Sequence, residues 1–317
     1  MIGKDIKLAV ELLNEGKLVG IPTETVYGLA GNALNESAVT QIFVVKNRPS
    51  FDPLIVHTDS VEKIHQFVTE LPPKAQMLAH HFWAGALTIL LPKKKIISDL
   101  VTSGSDLVAI RVPKHPLTLA LLRELDFPLA APSANPFGYI SPTTAQHVES
   151  QLGDKIPYIL DGGASQLGLE STIVGFEGET PIVYRKGGIS IEAIEKVIGK
   201  VQVRPHSSSN PKAPGMLKSH YAPRIPMILG DIPTHILQYK NKKIGILSFQ
   251  QTFEGIPREH QLILSKKGDF AEAAYHLFDY MRQLDQMDLE VILAELLPEK
   301  DLGRAINDRL KRASSQE

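Results

Sequence analysis

Residues 18–31 read LVGIPTETVYGLAG. An apolar run over 18–21 stops at Pro22, and Thr23, Glu24 and Thr25 follow before apolar character returns at Val26. A short apolar run ended by proline and hydroxyl residues is a strand signal. Two hydroxyls and a carboxylate just past a buried strand mark either a simple turn or the rim of a binding site at the strand end of an α/β fold. The surrounding sequence has to decide between them.

Working outward, helical and strand patterns alternate. Ile2, Ile6, Ala9, Val10 and Leu13 fall at helical spacing up to Gly16, and Asn35 is placed to cap a helix over 36–46 that ends before Pro49. Strands read at 54–58, 86–91, 107–112 and 128–131, with helices over 73–82 and 116–125 between them. Ser141-Pro142 has the form of an N-cap with proline at the first helical position, which predicts a helix through His147 to residue 152. A strand over 158–160, a hairpin of 171–176 with 182–185, and a helix over 191–198 complete an α/β or α+β unit with a mixed sheet.

Residues 206–226, HSSSNPKAPGMLKSHYAPRIP, are rich in Ser, Pro and Gly and read as a linker. Beyond it, strands at 227–229, 243–247, 261–264 and 291–293 and helices at 270–287 and 303–312 outline a smaller Rossmann-like unit without a GxGxxG fingerprint. The expected organisation is a domain over 1–205, a linker over 206–226 and a second α/β domain over 227–317.

The 317 residues carry 34 basic and 35 acidic side chains and no cysteine. Near-neutral charge gives no whole-molecule attraction to nucleic acid or membrane. The lack of cysteine excludes disulfides, thiolate metal sites and thiol catalysis. Asp5 and Glu11 interrupt the N-terminal apolar pattern, so no signal peptide is read there, and no apolar run approaches a membrane span. The expectation is a cytoplasmic protein with no membrane partner.

Polar clusters fall where strands end or helices begin. KNRPSFDPLIVH holds Lys46, Arg48, Asp52 and His57; the first two suit either a solvated helix end or phosphate binding. Arg111 lies inside the apolar strand AIRVP and needs a carboxylate partner, either internal or a substrate's. In APSANPFGYISPTTAQH, capping explains Ser141 but not Ser133 or Asn135. DGGASQLGLESTIVGF puts Ser171 at a strand entrance, YRKGG puts Arg185 before two glycines, and the linker carries Lys218, His220 and Tyr221. There is no P-loop, no HExxH and no nucleophile elbow.

Taken in order, PTETVYGLAG, KNRPSFDPLIVH, WAGALT, SGSDLVAIRVP, LAAPSANPFG with ISPT, GLESTIV, YRKGG and APGMLKSHYAP resemble the threonylcarbamoyl-AMP synthases, the YrdC-like family in its longer two-domain form. The resemblance implies a twisted mixed-sheet domain with a large positive cavity, plus a smaller Rossmann-like domain. It implies that L-threonine, bicarbonate and ATP, with Mg2+ carried by the nucleotide, yield threonylcarbamoyl-adenylate and pyrophosphate, and that a downstream tRNA threonylcarbamoyl transferase consumes the adenylate. By position, Thr25, His57, Arg111, Ala131 and Ser171 are expected around threonine. Arg48, Asp52, Leu107, Ser133, Ser141, Arg185 and Tyr221 are expected around ATP, with Lys46 adding charge near the phosphates and the linker acting as a lid. No acid or base and no dedicated metal ligand is assigned. Arg111 would then take its carboxylate from the substrate. The sequence departs from the family pattern at Asp52, where Asn is usual, at Ala84 and Ala86, and at Lys186. The competing readings are an RNA-binding module, with Lys46, Arg48, Arg111, Arg185 and Lys218 tracking a phosphate backbone, and a related carbamoyl-transfer enzyme.

Overall fold

The structure, a computed structural model, describes residues 1–204 and 220–315. Its larger unit is an eleven-stranded mixed sheet in the order Ile2–Gly3, Tyr158–Leu160, Val19–Ile21, Gly28–Asn32, Leu129–Ala130, Ile55–His57, Leu107–Arg111, Leu87–Pro92, Thr172–Glu177, Thr180–Arg185 and Gln202–Val203. The opening stretch is an antiparallel hairpin, with Val19 opposite Ala30 and Ile21 opposite Gly28, so PTETVY is its connection. The strand Gly28–Asn32 is absent from the sequence reading because Gly28 and Gly31 erase its alternation. Gly31 is required by packing: a Cβ there would stand 2.8 Å from Leu18 and 3.3 Å from Ile42, where the helix Glu36–Lys46 lies against the hairpin.

Ile55–His57 and Leu107–Arg111 pair in parallel with His57 opposite Arg111. Residues two apart on a strand share a face. Val56, Val108 and Ile110 join the main hydrophobic core, while Ile55, Ala109 and Leu107 turn to the other face, beside Leu90, Ile173 and Tyr184. Ile55, His57 and Arg111 form part of one cavity on that second face. The site therefore lies over the face of the sheet and not only at strand ends.

The helix expected from Ser141 begins later, at Ala145–Leu152, and its cap is Thr144, whose Oγ1 accepts from His147 N at 3.2 Å. Pro142 is occupied differently: its carbonyl accepts Tyr27 N at 2.8 Å, tying this loop to the hairpin connection.

The second sheet runs Met227–Leu229, Val291–Ala294, Ile244–Ser248 and Gln261–Ile263, all parallel, with the helices Ile232–Gln238, Phe270–Gln286 and Gly303–Ala313. Its apolar core includes Val26, Ile140 and Leu169 of the first unit alongside Leu277 and Phe278. Among the described residues no helix is long and apolar enough to cross a membrane.

Candidate active site

The cavity encloses about 570 Å³, counting its open mouth, within the range of small-molecule sites. Thr25, His57, Arg111, Ala131 and Ser171 line it together with Arg48, Ser133, Arg185 and Tyr221. Nine residues spread over almost two hundred positions thus meet in one wall. Lys46, Asp52, Leu107 and Ser141 are not in that wall. Lys218 lies outside the described residues, and of the linker read at 206–226 the structure describes 220–226.

The hairpin connection resolves into three roles. Thr23 Oγ1 donates to Val26 O at 2.6 Å and accepts from Thr25 N and Val26 N at 3.2 Å each, which closes the turn. Thr25 Oγ1 stands 2.8 Å from Thr23 Oγ1 and accepts from Arg111 Nη1 at 2.9 Å. Because the Thr23 proton goes to Val26 O, Thr25 donates to Thr23 and keeps one lone pair. Glu24 is the partner of Arg111: Oε1 accepts from Arg111 Nη2 at 2.6 Å, and Oε2 accepts from Lys114 N at 2.9 Å. Of the two partners open to Arg111 in the sequence, an internal carboxylate or a substrate's, the internal one is present, which corrects the expectation that the substrate supplies it. The internal pair is already made, and Arg111 Nε is held by Gly85 O at 3.2 Å. Each Nη retains one further N–H for a ligand.

His57 is buried, with Nδ1 donating to Ile55 O at 3.1 Å. Burial, then the Arg111 charge, pushes its pKa down to about 3, so the imidazole is neutral and Nε2 is an acceptor. Ala131 N is taken by Ile55 O at 3.0 Å, which leaves its carbonyl as the group able to meet a ligand. Ser171 is clamped from two sides, by Thr88 Oγ1 at 2.7 Å and by Arg185 Nη2 at 3.1 Å. Arg185 Nε also donates to Ser171 O at 3.0 Å.

Among the residues expected around ATP, Arg48 is fixed by Asp52 O at 3.0 Å, Pro53 O at 2.8 Å and the Asp52 carboxylate at 2.9 Å. Its Nη1 makes no hydrogen bond among the described residues. Asp52 is thus a buried counter-ion that orients Arg48, and it does not reach the cavity. Lys46 is a second correction: its ammonium donates to Ser133 O at 2.6 Å and to Asn135 O, stapling the PSANPF loop. Burial, then the neighbouring Arg48, holds its pKa well below the usual lysine value. Ser141 is a third, since its hydroxyl donates to Glu170 Oε1 at 2.6 Å instead of capping a helix or facing the cavity. Leu107 sits at the far end of the cavity-face row, its N–H bound to Ser105 Oγ at 3.1 Å.

Sequence reasoning missed Glu170, Thr88 and Tyr27, and it named His220 without assigning it a role. Glu170 lies in the wall, 6% exposed; burial alone would raise its carboxyl pKa, but Arg309, Arg185 and the Ser141 hydroxyl hold it below the usual value. Tyr27 OH donates to Gly163 O at 2.7 Å and accepts from Gly162 N at 3.1 Å, anchoring the DGG loop. The double glycine lies 135 residues from Tyr27 in sequence, so only the fold shows the pairing. His220 and Tyr221 close the cavity as edge-to-face rings 4.1 Å apart, and Tyr221 takes φ 64°, a strained value for a side chain of its size. Arg48, Arg111 and Arg185 are each at most 8% exposed and Lys46 1%, so none of the four is part of a surface stripe.

Residues 11–187 match the Sua5–YciO–YrdC family, described as "Telomere recombination", and residues 189–315 match "Threonylcarbamoyl-AMP synthase, C-terminal domain". The threonylcarbamoyl-AMP synthase of Pyrococcus abyssi is 41% identical over 98% of this chain and 94% of its own length. That of Bacillus subtilis is 39% identical over 98% and 92%. The crystal structure of P. abyssi Sua5 complexed with L-threonine superposes with a TM-score of 0.93 at 39% identity, over 99% of this chain and 97% of that one.

Proposed function

The chain belongs to the Sua5–YciO–YrdC family, in the form that carries the threonylcarbamoyl-AMP synthase C-terminal domain, and on that premise we propose that it is an L-threonylcarbamoyladenylate synthase. It would convert L-threonine, bicarbonate and magnesium-bound ATP into threonylcarbamoyl-AMP and pyrophosphate. The adenylate would serve a transferase that modifies tRNA beside the anticodon.

The observation that carries this reading is one buried cavity lined by residues of both expected groups. Arg111, Thr25, His57 and the Ala131 carbonyl form a compact group suited to an amino acid, with two N–H groups for its carboxylate and acceptors for its amine and hydroxyl. Arg48 and Arg185 line the same cavity with Ser133 and Tyr221, a set suited to a polyphosphate and its nucleoside.

The threonine amine adds to the carbon of bicarbonate-derived CO2 to give a carbamate. A carbamate oxygen then attacks the α-phosphorus, and pyrophosphate leaves with the electron pair of the broken P–O bond. The residues supply positioning and charge, not a strong base. Neutral His57 can hold an ammonium or hydroxyl proton without adding positive charge beside Arg111. The rings of His220 and Tyr221 shield the carbamate from water.

The test is threonine-dependent pyrophosphate release from ATP with bicarbonate present. Formation of the threonylcarbamoyl adenylate, detected by mass, is expected. Pyrophosphate release that needs no threonine, or none at all, would overturn the reading. Carbamoyl phosphate replacing bicarbonate as carbon source would move the chain to the carbamoyl-transfer class.

A further inference from the structure

The last helix of the second unit, Gly303–Ala313, sends one side chain into the back of the cavity wall. Arg309 is fully buried, an unusual place for a guanidinium without matched partners. Its Nε donates to Glu170 Oε2 at 2.9 Å, Nη2 to Lys186 O at 2.9 Å and Nη1 to Asp308 Oδ2 at 2.8 Å. Its central carbon stands 5.0 Å from the centre of the Tyr221 ring. Glu170 and Tyr221 both line the cavity, and Arg309 does not.

The chemistry of this placement is specific. Glu170 is a carboxylate in the wall of a space assigned to a polyphosphate, where a bare negative charge would repel the ligand. The Ser141 hydroxyl holds one of its oxygens but carries no charge to offset it. Arg309 takes the other oxygen directly and supplies the larger part of that charge, with Arg185 adding to it. It also backs the ring that closes the nucleotide side, in the geometry of a cation–π contact. The same domain braces the loop that carries Ser141: Arg282 donates to Ile140 O and Ser141 O, and the Tyr139 hydroxyl donates to Asp285 at 2.5 Å.

We infer that Arg309 is a positioning residue of the nucleotide subsite, and that the second domain completes that subsite by neutralising Glu170 and seating Tyr221. This inference rests on the cavity being an ATP site. It assigns the second unit a direct part in substrate binding, acting through two wall residues and without touching substrate.

The experiment measures KM for ATP and for threonine in the full chain and in Arg309→Met, Arg309→Lys and the double variant Arg309→Met with Glu170→Gln. Arg309→Met should raise the ATP KM at least tenfold and the threonine KM less than threefold. Removing the stranded charge in the double variant should return the ATP KM to within about threefold of the parent, because replacing both members of a buried pair avoids the cost of leaving one. Arg309→Lys keeps the charge and should lie between. Equal losses for both substrates, or no rescue by Glu170→Gln, would overturn the inference. If Arg309→Met does not fold, Arg309→Lys decides: an ATP KM at the parent value would overturn it. An unsubstituted chain that binds ATP in calorimetry but releases no pyrophosphate sinks the proposed activity alone, and the same variants are then compared by ATP affinity. A chain that binds no ATP overturns both.

Discussion

Arg111 Nη2 and Glu24 Oε1 meet at 2.6 Å, each side chain 5% exposed, with Arg111 on the wall of the cavity where an amino acid is expected and Glu24 just behind that wall. The pair sets the fork of Arg111 before any substrate arrives, so binding requires no rearrangement of the guanidinium. Removing one partner of a buried pair costs about 3–5 kcal/mol. Arg111→Ala should therefore lower the melting temperature and abolish threonine binding while ATP binding persists. Arg111→Met with Glu24→Gln should recover most of the stability and none of the threonine affinity. Calorimetry and thermal unfolding on the same samples check both halves, and equal loss of both ligands would count against the assignment of Arg111.

His57 makes stability depend on pH in a definite direction. Its folded pKa, about 3, lies below the unfolded value of 6.5 because burial and Arg111 disfavour the imidazolium. Above pH 6.5 the contribution is fully present. As pH falls below 6.5 the unfolded chain takes up a proton that the native one refuses, and stability is lost progressively down to about pH 3. Between pH 7 and pH 5 this amounts to about 2 kcal/mol. Urea unfolding should show a fall over that interval larger by about this amount in the parent than in His57→Gln. Parallel slopes would show that His57 is not the group responsible.

Lys46 should behave as a structural staple. Lys46→Met leaves the Ser133 and Asn135 carbonyls without their donor, at about 1–3 kcal/mol for buried groups. The PSANPF loop carries Ser133, so the ATP KM should rise several-fold together with a lower melting temperature, and the threonine KM should hold. A variant of unchanged melting temperature with a raised ATP KM would point instead to direct phosphate contact.

Gly168 is the close approach that lets the domains dock. It takes φ 70°, and a Cβ there would stand 2.4 Å from Ala274 O and 2.7 Å from Tyr275 O, both backbone atoms of the long helix Phe270–Gln286. Gly168→Ala should cost more than about 1 kcal/mol and loosen the contact between the units. Limited proteolysis should then release a fragment that the parent does not yield, and the ATP KM should rise as it does for Arg309→Met.

Much of this architecture was legible from local pattern. The helices Pro73–Phe82 and Ile191–Ile198 and the strands Tyr158–Leu160 and Met227–Leu229 fall where periodicity and punctuation put them. The strand Gly28–Asn32 was hidden because glycines chosen for close packing carry no alternation. In the site, residues that line the cavity through their own polar atoms were legible: Thr25, His57, Arg48, Arg111, Ser171 and Arg185 all reach the wall. The failures share a cause. Lys46 and Ser141 act on groups about 90 and 30 residues away in sequence, and nothing in a linear reading says that Ser141 answers to Glu170 or Lys46 to the carbonyls of Ser133 and Asn135. Arg309 could not have been found at all, because its meaning depends on a domain contact.

Behind the cavity's arginines stand carboxylates: Asp52 behind Arg48 and Glu24 behind Arg111, while Glu170 in the wall is answered by Arg309. The consequence falls on the end of the catalytic cycle. Both products of the proposed reaction, pyrophosphate and an adenylate, are anions, and a pocket of bare guanidiniums would retain them after the bond is made. Carboxylates set against these cations moderate that grip, so the proposed site can orient a highly charged substrate and still let its charged products go.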